Sequence, residues 1–120
     1  MKTILMAIAF IAASITNPND KLTGRWETKP SEKGNVTGVV FKDGKKMEGY
    51  VNRKPFVSGE YFFSPADSIL SFTDNGCGQS MAVYKVNFFS NSDSLRFTSI
   101  YDTCTERKNG MHRLVMGRVK

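Results

Sequence analysis

The chain has 120 residues, 40 % of them hydrophobic, and its 17 Lys and Arg against 11 Asp and Glu give a net charge of +6. This length suits one domain with a modest core and leaves little room for a second. The single histidine, His112, and the lack of any C-x-x-C spacing argue against a metal site.

The N-terminus has the layout of a secretory signal. Lys2 supplies a positive charge, residues 4–13 are uncharged and apolar, and small side chains follow. The apolar stretch is too short to span a bilayer. The sequence therefore predicts a signal peptide over residues 1–16, cut after Ser14 or Thr16, and a domain over residues 17–120. The alternative is a buried N-terminal helix, which the polar break at residues 17–20 disfavours.

The rest of the chain reads as short strands joined by turns. Apolar residues step by two, Gly and Pro recur, and no helix longer than a turn is expected. Asp43-Gly44 predicts a two-residue type I′ hairpin turn, and Pro55 predicts a corner. Residues 102–110 are expected to form a loop. The eight predicted strands are Leu22–Lys29, Val36–Lys42, Lys45–Asn52, Val57–Phe63, Ile69–Thr73, Met81–Phe89, Leu95–Tyr101 and Met111–Val119.

Eight consecutive strands with short connections predict an all-β fold, an eight-stranded antiparallel up-and-down barrel whose closure removes exposed sheet edges. In an exported chain the two cysteines, Cys77 and Cys104, favour one disulfide, with two free thiols as the alternative. Turns of a meander alternate between the two ends, so both cysteines fall at the same end. The strand count and the disulfide therefore support each other.

The opening Leu22-x-Gly24-x-Trp26 resembles the glycine-x-tryptophan signature of lipocalins and other calycins. Nearly all of the mature chain is similar to small exported lipocalin-like proteins of bacteria. That similarity is carried by 59–61 (Gly-Glu-Tyr), 67–70 (Asp-Ser-Ile-Leu), Cys77, Tyr84, 93–95 (Asp-Ser-Leu), Asp102-x-Cys104-x-x-Arg107 and Arg118. The resemblance implies that Trp26 packs at the barrel floor with Arg118 lying across it. It also implies a periplasmic or secreted protein.

Several residues are expected to act structurally. Trp26 and Arg118 close the barrel through packing and a cation–π contact. Asp102 and Arg107 flank Cys104, so a charge-assisted hydrogen bond between them would brace that loop. A role of this pair in ligand capture is the alternative.

Catalysis has little support in the sequence. No serine or cysteine sits in a recognisable nucleophile setting beside His112, and no phosphate-cradling glycine loop is present. We expect no enzyme activity, no cofactor, no metal and no nucleic-acid partner. The chain is expected to be a monomer without a membrane span.

Two functions of different class remain open. In the first, the barrel mouth at the cysteine end binds a small apolar or amphiphilic molecule, with a lining of Val39, Phe41, Tyr61, Phe63, Phe72, Tyr84 and Phe97. In the second, the interior is filled and the barrel binds another protein, for example as an exported protease inhibitor. The interior volume separates the two, because side chains alone can fill an eight-stranded barrel.

Overall fold

The computed structural model describes residues 21–120, so the predicted signal peptide lies outside the described residues. All eight strands form one closed antiparallel barrel in which each strand pairs with its neighbours in sequence and the last returns to the first. The strands are β1 Gly24–Thr28, β2 Thr37–Lys42, β3 Lys46–Val51, β4 Lys54–Ser64, β5 Ile69–Asp74, β6 Ala82–Phe89, β7 Ser94–Asp102 and β8 Val115–Arg118. The predicted fold class, an all-β eight-stranded antiparallel up-and-down barrel, is confirmed.

Alternation along the strands builds the core. In β5, Leu70 and Phe72 are buried while the residues between them are partly exposed, and in β4 the exposed Phe62 stands between buried Tyr61 and Phe63. Successive side chains of a strand point to opposite faces, so one face of every strand fills the interior.

Connections between strands gather at two ends. The disulfide end carries residues 29–36, 52–53, 75–81 and 103–114, and the seam end carries residues 43–45, 65–68, 90–93 and both termini of the barrel. Cys77 and Cys104 are bonded at the disulfide end, with 6.1 Å between their Cα atoms. The predicted pairing is confirmed, and such a bond is consistent with an oxidising compartment.

The expectation of no helix is wrong. Helix α1 spans Thr105–His112 where a loop and the start of the last strand were predicted, and β8 begins only at Val115. Asn109-Gly110 is a poor helix-forming pair, which hid the helix. Arg107 and Met111, four residues apart, nevertheless lie on one face of the helix. Met111 and, just after the helix, Leu114 pack against the core. Neither α1 nor any other helix of the described residues is long and apolar enough to cross a membrane.

Two turns also differ from expectation. Residues 43–45 form a single 3₁₀ turn between Lys42 and Lys46, with Lys45 at φ 73°, which is a three-residue hairpin connection rather than a two-residue one. The two-residue turn with positive φ at both positions occurs instead at Asn52 and Arg53. Pro55 therefore lies inside β4 rather than at a corner, beside a register shift in the pairing with β3. A bulge and a strand start both tolerate the missing N–H of proline.

Replacing Gly59 with alanine should destabilise the barrel. A Cβ at Gly59 would collide with the backbone carbonyl of Thr73 and lie 2.8 Å from the Cα of Asp74, and backbone cannot move aside cheaply. We expect Gly59→Ala to lower the free energy of unfolding by about 1–3 kcal/mol, measured by urea denaturation.

Gly110→Ala is the matched control, because a Cβ there meets no atom within 4 Å and the residue is helical. This variant should be about 0.5–1 kcal/mol more stable than the parent. Equal effects of the two substitutions would show that the close approach of β4 and β5 is not constraining.

Candidate functional site

The seven side chains predicted to line a ligand site all lie in the core of the barrel. Their exposed fractions run only from 1 to 9 %. They belong to one packed cluster that also contains Leu22, Trp26, Met47, Leu70, Ala82, Val86, Leu95 and Met116. An open mouth would leave part of this lining accessible, so these exposures describe a filled interior.

Aromatic contacts account for much of the filling. Phe41 and Tyr61 meet edge to face with centroids 5.0 Å apart, and Tyr84 stacks on Phe72 at 6.0 Å and meets Phe97 edge to face at 6.3 Å. The buried hydroxyl groups are satisfied, since Tyr61 donates to the carbonyl of Lys42 and Tyr84 donates to Asp102. A guest inside the barrel would have to displace these rings and break such contacts.

Trp26 lies at the seam end and is fully buried. Its Nε1 donates to the carbonyl of Leu22 at 2.8 Å, which folds the entering chain under the barrel. The guanidinium of Arg118 lies 4.3 Å from the indole ring and donates to the carbonyls of Thr23 and Lys21. Arg118 therefore covers the indole and also ties the first and last segments of the barrel together.

At the disulfide end the polar centre is the Arg107 cluster, made of Arg107, Asp74, Asp102, Tyr84 and Ser80. Arg107 binds Asp102 through Nε and Nη2 at 3.0 and 2.9 Å, Asp74 through Nη1 at 3.2 Å and the carbonyl of Ser80 through Nη2 at 3.0 Å. The exposed fractions of the Arg107, Asp74 and Asp102 side chains are 7, 6 and 0 %.

This cluster also holds both cysteine loops. Asp74 Oδ1 accepts from the N–H groups of Gly76 and Cys77, and Asp102 Oδ1 accepts from the N–H of Cys104. Each cysteine backbone is thus bound to a carboxylate that Arg107 also binds. The guanidinium joins the two loops independently of the sulfur–sulfur bond.

Ionisation follows this geometry. Burial alone would raise the pKa of Asp102, but the hydrogen bonds from Arg107, Tyr84 and Cys104 outweigh it and lower that pKa below the ordinary value of 3.8. Burial, followed by the hydrogen bond to Asp102, raises the pKa of Tyr84, so the phenol stays protonated and donates. Burial opposes the charge of Arg107, yet the hydrogen bonds to Asp102 and Asp74 raise its pKa. Arg107 and Asp102 are therefore ionised and paired at neutral pH.

The sequence analysis paired Arg107 with Asp102 and assigned no role to Asp74. Asp74 ends β5 and caps the 3₁₀ turn Asn75–Cys77, as an aspartate beside a turn commonly does. Its Oδ2 accepts a hydrogen bond from Arg107, which is 33 residues later in the sequence. No local sequence pattern indicates that contact. The alternation of β5 was the available signal, because Asp74 follows Leu70 and Phe72 on the inward face.

Tyr50 was also missed. It is buried, yet it lies on the outer wall, where its ring covers Gly38 and occupies the space that a Cβ would take. Its hydroxyl donates to Glu27, and the Arg25 guanidinium stands 5.1 Å from the ring. Burial and the bond to Glu27 raise the pKa of Tyr50. Two open grooves lie on the described surface. One, of about 620 Å³, includes the paired Lys46 and Glu60 in its lining, and the other, of about 530 Å³, lies beside Tyr50 and Glu27.

A metal site is not formed by the described residues. No group of three His, Cys, Asp or Glu side chains within residues 21–120 is placed to hold an ion. Neither a scan against protein-family models nor searches of curated proteins and of solved structures found a match to the chain.

Removing the charge of Arg107 should cost more than removing a surface charge. Arg107→Gln leaves two buried carboxylates without their cation, for which we expect a loss of about 3–5 kcal/mol in the free energy of unfolding. Arg107→Lys keeps the charge but cannot bind both carboxylates through a planar fork, so an intermediate loss is expected. Denaturant unfolding of the oxidised protein measures all three forms.

Lys46→Gln is the control, because the Lys46–Glu60 pair is largely exposed, at 62 and 68 %. Stability should hardly change in that variant. A loss in Arg107→Gln no larger than in the control would contradict the bracing role of the cluster.

Acid should weaken the barrel through Asp102. Its pKa is lower in the folded chain than in the unfolded one, so its contribution is complete above the ordinary value of 3.8 and is lost as the pH falls through the folded value. We expect the free energy of unfolding of the parent to fall on acidification below that pH. Asp102→Asn should be less stable at neutral pH and should lose less on acidification. Parallel pH curves for the two proteins would contradict this assignment.

Proposed function

We propose that the chain is an exported binding protein whose barrel is a rigid scaffold and whose partner is another protein bound to its surface. The filled interior carries the proposal. The side chains that would have to line a small-molecule site are packed against one another. A surface function requires no rearrangement of them.

The outer surface supports the same conclusion. Eight large apolar side chains are between 38 and 60 % exposed in the described residues: Phe56, Phe62, Met81, Phe89, Ile100, Tyr101, Val115 and Val119. A partner bound to the outer surface would find its apolar contacts among these side chains. The proposal includes the resemblance to exported lipocalin-like proteins of bacteria. It also includes export and a role like that of a protease inhibitor. The disulfide supports export.

Site-directed photocrosslinking in the exporting host tests the proposal. A photoreactive phenylalanine analogue replaces Phe56, Phe62, Phe89 or Tyr101 in separate variants, and an analogue at the buried Phe63 serves as the control. We expect a covalent adduct of one defined protein from at least one exposed position and none from Phe63. Native mass spectrometry of the purified parent should show the mass of the chain without a bound small molecule.

A stoichiometric small molecule retained by the purified parent, together with no adduct from any exposed position, would contradict the proposal. The interior variant Val39→Phe adds a second check. It should lower stability through overpacking while leaving the adduct unchanged, because binding takes place outside the core.

A further inference from the structure

Positive charges without partners are concentrated at one end of the barrel. Seven basic side chains make no ion pair, hydrogen bond or ring contact within residues 21–120. Lys45 lies at the seam end, and the other six lie at the disulfide end: Lys29, Lys33, Arg53, Lys54, Lys108 and Arg113. We call these six the cation rim. Two acidic side chains of the same end, Glu32 and Glu106, are likewise unpaired, so six positive charges face two negative ones.

The seam end is different, because its cations are largely compensated. Lys42 pairs with Glu48 at 3.3 Å, Lys46 with Glu60 at 2.7 Å, and Lys120 with Asp93 at 3.1 Å. Lys45 makes no direct contact, but it adds to the effect of the Lys46 hydrogen bond in lowering the pKa of Glu60. The basic side chains without a direct partner are therefore concentrated at the disulfide end.

Part of the cation rim stands on a fixed backbone. The loop of residues 29–36 is closed by hydrogen bonds between Ser31 and Asn35, and Asn52 of the next connection donates to Asn35 and accepts from Val36. These bonds hold the loop that carries Lys29 and Lys33 against the connection that carries Arg53. Charges mounted on ordered loops attract a partner without a large ordering cost.

Exposed apolar groups stand at the same end. Phe56, Met81, Ile100 and Tyr101 are 60, 48, 55 and 56 % exposed, and each lies within three residues of a connection of the disulfide end or in one. Aromatic groups surrounded by cations are typical of protein interfaces, whereas a purely ionic contact with a polymer would need no apolar side chains.

We infer that the disulfide end is the docking surface of this protein, and that its partner is an acidic protein segment which also carries apolar side chains. This inference rests on the proposed function, since it specifies where the partner binds and what chemistry the partner presents. Complementary charge would speed the encounter, and the apolar groups would retain the partner after contact.

Two variants that remove equal charge test the inference. The rim variant carries Lys29→Gln, Lys33→Gln, Arg53→Gln and Lys54→Gln. The matched variant carries Lys42→Gln, Lys45→Gln, Lys46→Gln and Lys120→Gln at the seam end. Thermal unfolding of both establishes that the barrel is intact before binding is measured.

The probes are a fluorescent peptide of repeating Glu-Phe-Glu-Leu, its counterpart with Gln in place of Glu, and a heparin fragment. Stopped-flow fluorescence or biolayer interferometry follows association with the full chain at low and at raised salt. We expect the Glu peptide to bind, the Gln peptide to bind far more weakly, and the association rate constant of the Glu peptide to fall about tenfold or more in the rim variant. The matched variant should keep most of the parental rate.

Equal losses in the two variants would overturn the inference, since a diffuse positive charge would then explain binding. Binding of heparin without binding of the Glu peptide would also overturn it, in favour of an anionic polysaccharide. Photocrosslinks to a protein through Phe62 or Phe89 alone would leave the proposed function standing and refute this surface. A retained small molecule and no crosslinks would instead refute the proposed function itself.

Discussion

The structure depends on the closure of its barrel along a narrow seam. β8 has four residues, and it pairs with β1 only through Trp26–Thr28 and with β7 only through Ser94–Arg96. So short a ladder gives few backbone hydrogen bonds to close a ring of eight strands. The two ends of the barrel supply the remaining restraint, and each end uses an arginine.

The two arginines work in different surroundings. Arg118 lies over the Trp26 indole and binds carbonyls of the entering chain, which closes the seam end. Arg107 is enclosed by two carboxylates and lies 5.2 Å from the Phe72 ring, which closes the disulfide end beside α1. Between them the interior is packed with aromatic and aliphatic side chains. A barrel closed at both ends and filled inside has its unpaired charges and exposed apolar side chains on the outer surface.

Much of this architecture could be predicted from the sequence, because period-two alternation and turn residues are local signals. The strand count, the closure and the cysteine pairing all follow from them. Helix α1 was not predicted, since Asn109-Gly110 interrupts its better helix formers and the contacts of Arg107 and Met111 that hold it arise only after folding. The prediction of a two-residue turn at Asp43-Gly44 was wrong for a related reason. Asp43-Gly44 suits a two-residue turn, but the register between β2 and β3 requires three residues.

The candidate site, too, was predicted only in part from the sequence. The core residues Phe41, Tyr84 and Phe97 were identified by alternation, but whether they enclose a space depends on how the rings meet across the barrel. The contact between Asp74 and Arg107 joins distant parts of the chain, as does the contrast between paired and unpaired cations. Patterns within one strand or turn carry no information about such long-range arrangements.

The Arg107 cluster also bears on the order in which the molecule matures. Its hydrogen bonds reach the backbone of both cysteines and need no oxidant, so they can bring the two thiols together as soon as the strands have paired. The oxidation of Cys77 and Cys104 then takes place in loops that the Arg107 cluster already holds together. An oxidase would then act on loops that are already held in one conformation. The disulfide would stabilise a fold that had formed before it.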